Sequence, residues 1–354
     1  MNIKELNVKF YIKIKKLIKK NGFEIPPFSH WIKLWKNKPK KKIGDGIFKG
    51  KELVGYHSYF DKKLIFKGKT YKILVSSNWN VHPNYRKYSI YLINKYFNKN
   101  TDIFLTTTSN FKVSEIWKSF GAKEVNNKGC KRIFFRILDI NKFLDILVIK
   151  KKLTFIKLVK PILLPALYFY NNTKNIFKKD FKLYFKCNDN VDGEINSFNL
   201  NYEKNNVYPL EKRSDFEIKN YLRIINHNKK IYLIKIINKD KLLGYCTLVR
   251  EKIRNTNIHR MYLAELRIYS KYYNYLNEIF DYVTYFSKQK NCSIVEFRNL
   301  NTRILKRINY KKFYIREIKN NPYLIKLKPN LEKKFNRLIK KDWETSFLDG
   351  DCLL

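Results

Sequence analysis

The sequence predicts a mixed α/β fold built twice in tandem, each copy a mixed, mostly antiparallel sheet flanked by helices. Three observations predict it. The chain has 354 residues, more than one hydrophobic core ordinarily organises. Stretches rich in β-branched and aromatic residues alternate with stretches whose apolar side chains recur at i, i+3, i+4 and i+7. The same order of strands and helices also occurs twice at a nearly constant offset. Gly244-Tyr245 lies 189 residues beyond Gly55-Tyr56, and Asn301 lies 191 beyond Asn110.

In the first half, Leu53 to Phe60 reads as a strand, Lys67-Gly68-Lys69 as a turn and Tyr71 to Val81 as a longer strand. A helix follows, with Ile90, Ile93 and Phe97 on one face. Then come a strand from Asp102 to Thr108, a helix carrying Val113, Ile116, Trp117 and Phe120, and a strand from Arg132 to Leu138. The second half gives strands Ile231 to Ile237, Leu242 to Arg250 and Met261 to Tyr269, and a helix with Tyr272, Tyr275, Leu276, Ile279, Phe280 and Val283. A strand Ser293 to Arg298, a short helix with Ile304, Leu305 and Ile308, and strands near Phe313 and Tyr323 complete it. A run of strands followed by helix, strand, helix, strand implies helices on the faces of a mixed sheet. The expected division is 1–145, a basic apolar linker 146–195, 196–330 and a tail 331–354.

The linker holds the most apolar stretch, Leu153 to Tyr170, interrupted by Lys157, Lys160, Pro161 and Pro165. That is too broken for a membrane span. With lysines at 150–152 before it and Lys174, Lys178 and Lys179 after it, two readings stay open: a helix packed between the domains, or a peripheral membrane contact through 150–179. Lys and Arg number 75 against 30 Asp and Glu, a net charge of +45. Because the lysines are spread along the chain between apolar positions, a solvated basic face is preferred to a dedicated nucleic-acid groove. The five cysteines are scattered and include no C-x-x-C pair, so neither a disulfide framework nor a metal site is expected. No uninterrupted apolar run marks the N-terminus for export, and the expected location is cytoplasmic, with the inner membrane face as the peripheral option.

The segment Val81-His82-Pro83-Asn84-Tyr85-Arg86-Lys87-Tyr88-Ser89-Ile90-Tyr91-Leu92 resembles the acyl-CoA loop of GNAT acyltransferases, V-x-P-x-x-R-G-x-G-I-G-x-x-L. Asn110 through Gly121, with Trp117 and Phe120-Gly121, resembles that family's following helix. His30-Trp31 to Asn37-Lys38-Pro39 and the tail Trp343 to Asp351, ending Asp349-Gly350-Asp351, resemble segments of GNAT-like proteins encoded with bacterial surface-polysaccharide genes. The likeness covers about residues 25–140 by motif and 205–328 by element order alone.

This resemblance implies a donor, acetyl-CoA or another acyl-CoA, gripped where the third strand gives way to a helix. Main-chain amides and the helix dipole there suit a diphosphate. The donor-binding set is then Trp79, Val81, Arg86, Lys87, Tyr88, Ser89, Ile90, Tyr91 and Asn110, with Ser89 capping the helix. Serine and tyrosine replace family glycines at Ser89 and Tyr91. For catalysis, His82 and His57 are the candidate bases, and Trp117 stands where the family places its tyrosine acid, although an indole cannot transfer a proton in that way. In the second half, which lacks the loop motif and is expected to bind no donor, Glu265 and Arg267 either face an acceptor or pair with each other on a half-buried sheet.

Two functions follow. One is transfer of a short acyl group from acyl-CoA to an amine, such as an amino sugar of a surface-glycan precursor. The other is a catalytically inactive binding protein that docks on membrane, polyphosphate or RNA through its basic surface.

Overall fold

The structure is a computed structural model, and it describes residues 1–22, 42–107, 111–125, 131–151, 153, 155–174, 180–188, 190–206, 208–214, 218–219, 222, 229–318 and 323–339. The segments His30–Pro39 and Trp343–Asp351, and Asn110, lie outside these residues.

Among the described residues fifteen strands make two sheets. In the first half they are β1 (Asn2–Leu6), β2 (Gly44–Lys49), β3 (Glu52–Phe66), β4 (Lys69–Val81), β5 (Ile103–Thr106), β6 (Lys123–Glu124) and β7 (Arg132–Ile137). The second half gives β8 (Tyr184–Asn188), β9 (Leu210–Glu211), β10 (Lys229–Asn238), β11 (Lys241–Lys252), β12 (His259–Ile268), β13 (Ile294–Phe297), β14 (Tyr314–Glu317) and β15 (Leu324–Leu327). Helices are α1 (Tyr11–Lys20), α2 (Ser89–Phe97), α3 (Phe111–Ser119), α4 (Ile140–Lys151), α5 (Ile156–Lys174), α6 (Gly193–Asn205), α7 (Leu276–Gln289), α8 (Thr302–Leu305) and α9 (Pro329–Ile339). Lysines and apolar residues at helical spacing near the N-terminus do form α1, but a strand, β1, precedes it.

The first sheet has the order β1-β2-β3-β4-β5-β15-β6, with β9 added beside β3; the second, read in the matching direction, runs β8-β10-β11-β12-β13-β7-β14. These are the same architecture. Each is antiparallel except for one parallel pair, β4 with β5 and β12 with β13. Each also takes its sixth strand from the other half. β7, which chain order assigns to the first half, pairs with β13 and β14; β15, near the other end of the chain, pairs with β5 and β6. The sheets therefore do not follow the division at 145 drawn from chain order.

Composition suits both strands to a central position. In β15, Leu324, Ile325 and Leu327 are buried, and in β7 so are Ile133, Phe134, Arg136 and Ile137. Arg136 is the odd member. Its guanidinium reaches Asp281 of α7 at 2.8 Å and Thr284 at 3.0 Å, and lies 4.5 Å over the Phe313 ring. Burial pulls its pKa down while Asp281 holds it up, leaving it below the ordinary arginine value. An ion pair from the first half's strand to the second half's helix thus fastens the exchange.

A second buried cluster joins the halves at β9. Arg213 bonds Glu265 at 2.9 Å and also Glu211, while Lys62 of β3 reaches Glu211 at 2.8 Å. Arg267 bonds Asn199 and Glu203, each at 3.1 Å, and the Glu211 carbonyl at 2.6 Å. Burial disfavours ionisation of Glu265, but Arg213 and Arg267 more than offset it and leave its pKa below the ordinary value.

Candidate functional site

In each half the parallel pair starts closed and then opens. β4 and β5 pair over Ile73–Val75, and β12 and β13 over Arg260–Leu263. Beyond those points Ser76–Val81 and Ala264–Ile268 lose that neighbour. A bulge lies at the opening in both sheets: His57 pairs with Trp79 but Tyr59 with Ser76, and Thr247 pairs with Glu265 but Leu248 with Leu263. One extra residue on β4 and one on β12 bends each strand away. The strand then enters a six-residue 3-10 turn, Pro83–Tyr88 or Ser270–Tyr275, running directly into α2 or α7. Open carboxyl ends of parallel strands are the usual ligand crevice of α/β sheets.

Beside the first opening, the strand end and the turn pack aromatic side chains on β2, β3 and α2. Trp79, Val81, Tyr85 and Tyr88 pack on the cluster of Ile47, Val54 and Leu92. Proline at the first position of the turn has no N–H. His82 accepts from the Asn84 N–H through Nδ1 at 3.3 Å, its carbonyl accepts from Tyr85 at 2.8 Å, and the Ser89 N–H donates to the Arg86 carbonyl. Of the amides expected to hold a diphosphate here, that of Ser89 is thus engaged internally. Ser89 is not the cap of α2; Tyr88 holds that position, without a side-chain bond, because the 3-10 turn continues into the helix. Arg86, Lys87, Ile90 and Tyr91 do face outward, Tyr91 lying parallel to Tyr88 at 6.2 Å.

The catalytic candidates of the first half are placed as structural groups. Trp117 is wholly buried against Tyr96 and Phe97, with no partner for its N–H, so it touches no solvent or substrate. His57 is also fully buried, its Nε2 sharing a hydrogen bond with Ser76 Oγ at 2.7 Å. Burial lowers its pKa to about 3, against an opposing pull from Asp45, so it stays neutral and out of reach. His82 is the turn cap just described. Glu265 and Arg267 belong to the buried cluster at β9 and face no acceptor; of the two readings given for them, pairing describes the structure.

The second opening is a cleft of about 600 Å³ lined by Ser270, Lys271, Tyr273 and Asn274 of the turn, and by Arg303, Lys306 and Arg307 around α8. The α8 segment is oriented by Asn301, whose Oδ1 accepts from the Ile304 N–H at 2.9 Å. Arg303 lies 3.7 Å over the Tyr208 ring, while Lys271, Lys306 and Arg307 are exposed. Tyr269, preceding the turn, supplies no side-chain cap, in contrast to His82. Four cations line this cleft, between the turn that follows β12 and the α8 segment that follows β13. Sequence reasoning missed them because they come from two segments that only the fold unites; the signal was Arg303-Ile304-Leu305-Lys306-Arg307, charges placed around two buried apolar residues. Among the described residues no group of His, Cys, Asp and Glu is placed to hold a metal ion.

A sheet of this order, with one opening parallel pair, a bulge beside it and a helix leaving the strand end, defines a GNAT-type acyltransferase fold, here present as two interlocked copies. Solved structures with the same fold include a GCN5-related N-acetyltransferase from Anabaena variabilis, at TM-score 0.60 and 10% identity, covering 92% of this chain and 72% of that one. A GCN5-related N-acetyltransferase from Kribbella flavida gives 0.56 and 9%, with 92% and 70% covered. A conserved protein of unknown function from Enterococcus faecalis, described as a probable N-acyltransferase, gives 0.59 and 9%, with 92% and 72% covered. No family model and no curated protein matches the sequence.

Proposed function

We propose that the protein transfers a short acyl group from acyl-CoA to an amine, and that the donor diphosphate is held in the cationic cleft of the second half. The single observation that carries this reading is the convergence of Lys271, Arg303, Lys306 and Arg307 on one cleft beside the turn that follows β12. Fixed cations in a partly enclosed cleft concentrate a polyphosphate and pair with its oxygens. The freed edge of β12 offers unpaired main-chain groups to the amides of the pantetheine arm, which leads the thioester toward the bulge at Ala264. In the reaction the amine nitrogen bonds to the thioester carbonyl carbon, the C–S bond breaks, and the leaving thiolate takes up the proton the amine gives up. Alignment of the two reactants contributes up to ~7–11 kcal/mol to such a step. The amine belongs to a glycan precursor in this reading, on the strength of the sequence likeness at 30–39 and 343–351.

A competing donor site is the turn of the first half, where Arg86 and Lys87 are exposed side by side. Calorimetric titration of the full chain with acetyl-CoA separates the two. Saturable binding lost in Lys306→Glu/Arg307→Glu and kept in Arg86→Glu supports the second half. The reverse pattern supports the first, and no saturation at millimolar ligand removes the acyl-CoA reading.

A further inference from the structure

α5 has two contrasting faces. Inward, Ile156, Leu164 and Leu167 pack with Ile137, Ile140 and Leu144; the Asn171 amide donates to the Ile137 carbonyl at 3.0 Å, and Lys160 pairs with Asp145 at 2.9 Å. The helix is therefore fixed on the body of the protein. Outward, Leu158, Ile162 and Phe169 lie one above another at i, i+4 and i+11, with Pro165 at i+7, and are 82%, 79% and 77% exposed. Eight of the seventeen exposed large apolar side chains among the described residues fall between Ile149 and Tyr170. A patch so concentrated marks a docking surface.

We infer that α5 docks the protein on an anionic lipid bilayer, lying in the plane of the interface. No described helix is long and apolar enough to cross a membrane, which leaves insertion to the depth of one helix face. Pro161 and Pro165 each remove a helical hydrogen bond, so two carbonyls near the stripe need the hydrated interface rather than the hydrocarbon interior. The occupant follows from charge. Lysines 150–152 precede the stripe, Lys174, Lys178 and Lys179 follow it, and the whole chain carries +45. An anionic surface is attracted by that field, whereas a second copy of the same chain is repelled. This inference does not depend on acyl-CoA binding, and its test leaves that property measurable in the same samples.

The test is flotation of the full chain with phosphatidylcholine vesicles with and without phosphatidylglycerol at about 0.15 M salt. The expected result is binding to the phosphatidylglycerol vesicles that falls by about tenfold or more in Leu158→Glu/Ile162→Glu/Phe169→Glu. The thermal transition and the response to acetyl-CoA should match wild type in that variant. Should it fold poorly, Leu158→Ser/Phe169→Ser gives the same readout with a smaller perturbation. Equal binding by wild type and variant overturns the inference, since surface charge alone would then account for it. So does stable self-association of wild type in sedimentation velocity without lipid that the same substitutions abolish, because a second copy would then cover the stripe.

Discussion

The two halves share one plan down to the bulge and the six-residue turn, yet they treat the same opening in opposite ways. In the first, Trp79, Tyr85 and Tyr88 pack beside it on β2, β3 and α2, and His82 caps the turn. In the second, the turn is uncapped by any side chain and four cations surround free space. Duplication fixes where a crevice can form; the residues at its mouth decide whether it is a crevice or a core. The loop motif drew attention to the half in which Val81, Tyr85 and Tyr88 of the motif pack on the body, while Arg86, Lys87, Ile90 and Tyr91 face outward.

The comparison can be broken first by asking whether the halves are separate units at all. Arg136→Ala should lower stability by about 3–5 kcal/mol, because it empties a buried site and leaves the buried Asp281 with Lys312 as its remaining cation. Urea unfolding should show one transition shifted as a whole, whereas two transitions would mean halves that melt independently. The next effect belongs to the first half alone. His57 is held neutral by burial with a pKa of about 3, so below the ordinary histidine value the unfolded chain gains a proton that the folded chain refuses. Stability contributed there is present above that ordinary value and lost as pH falls toward 3, by on the order of 5 kcal/mol in all. Replacing the residue by His57→Gln should flatten that part of the pH profile. In the second half, Lys306→Glu/Arg307→Glu should weaken acetyl-CoA binding by about a hundredfold, two charge-assisted contacts being lost. The melting temperature should barely move, since both side chains are exposed. The smallest effect sharpens the contrast at the turns: His82→Ala should cost about 1 kcal/mol of stability and leave donor affinity unchanged.

Much of this architecture was legible in the residues. The alternation in Ile231 to Arg250 and the helical spacing from Leu276 to Val283 fix those elements locally, and the glycine of the second Gly-Tyr pair has a physical cause. A Cβ at Gly244 would lie 2.2 Å from the Arg267 carbonyl, so the close approach of β11 and β12 excludes any other residue, and Tyr56 and Tyr245 are both buried beside their glycines. What was not legible is partnership. An apolar strand such as Ile133-Phe134-Phe135 states that it is buried, not in which sheet, and nothing local separates β7 from a strand of its own half. The two-residue strands β6 and β9 are too short for any period to register. Arg136, a charge inside the apolar run from Ile133 to Ile137, was the one local sign that a distant acid must meet it. Glu265 and Arg267 read correctly as alternating positions, but Arg213, Glu203 and Lys62, which enclose them, come from three other segments.

The crossing of β7 and β15 also governs how the molecule is made. While a ribosome works through the first three hundred residues, the edge of β5 has no neighbour on one side, and an unpaired edge invites wrong pairing. Closure of the sheet that is synthesised first must wait for Leu324–Leu327, which follow β5 by about two hundred residues. A nonsense mutation late in the message would therefore injure the beginning of the protein as much as its end.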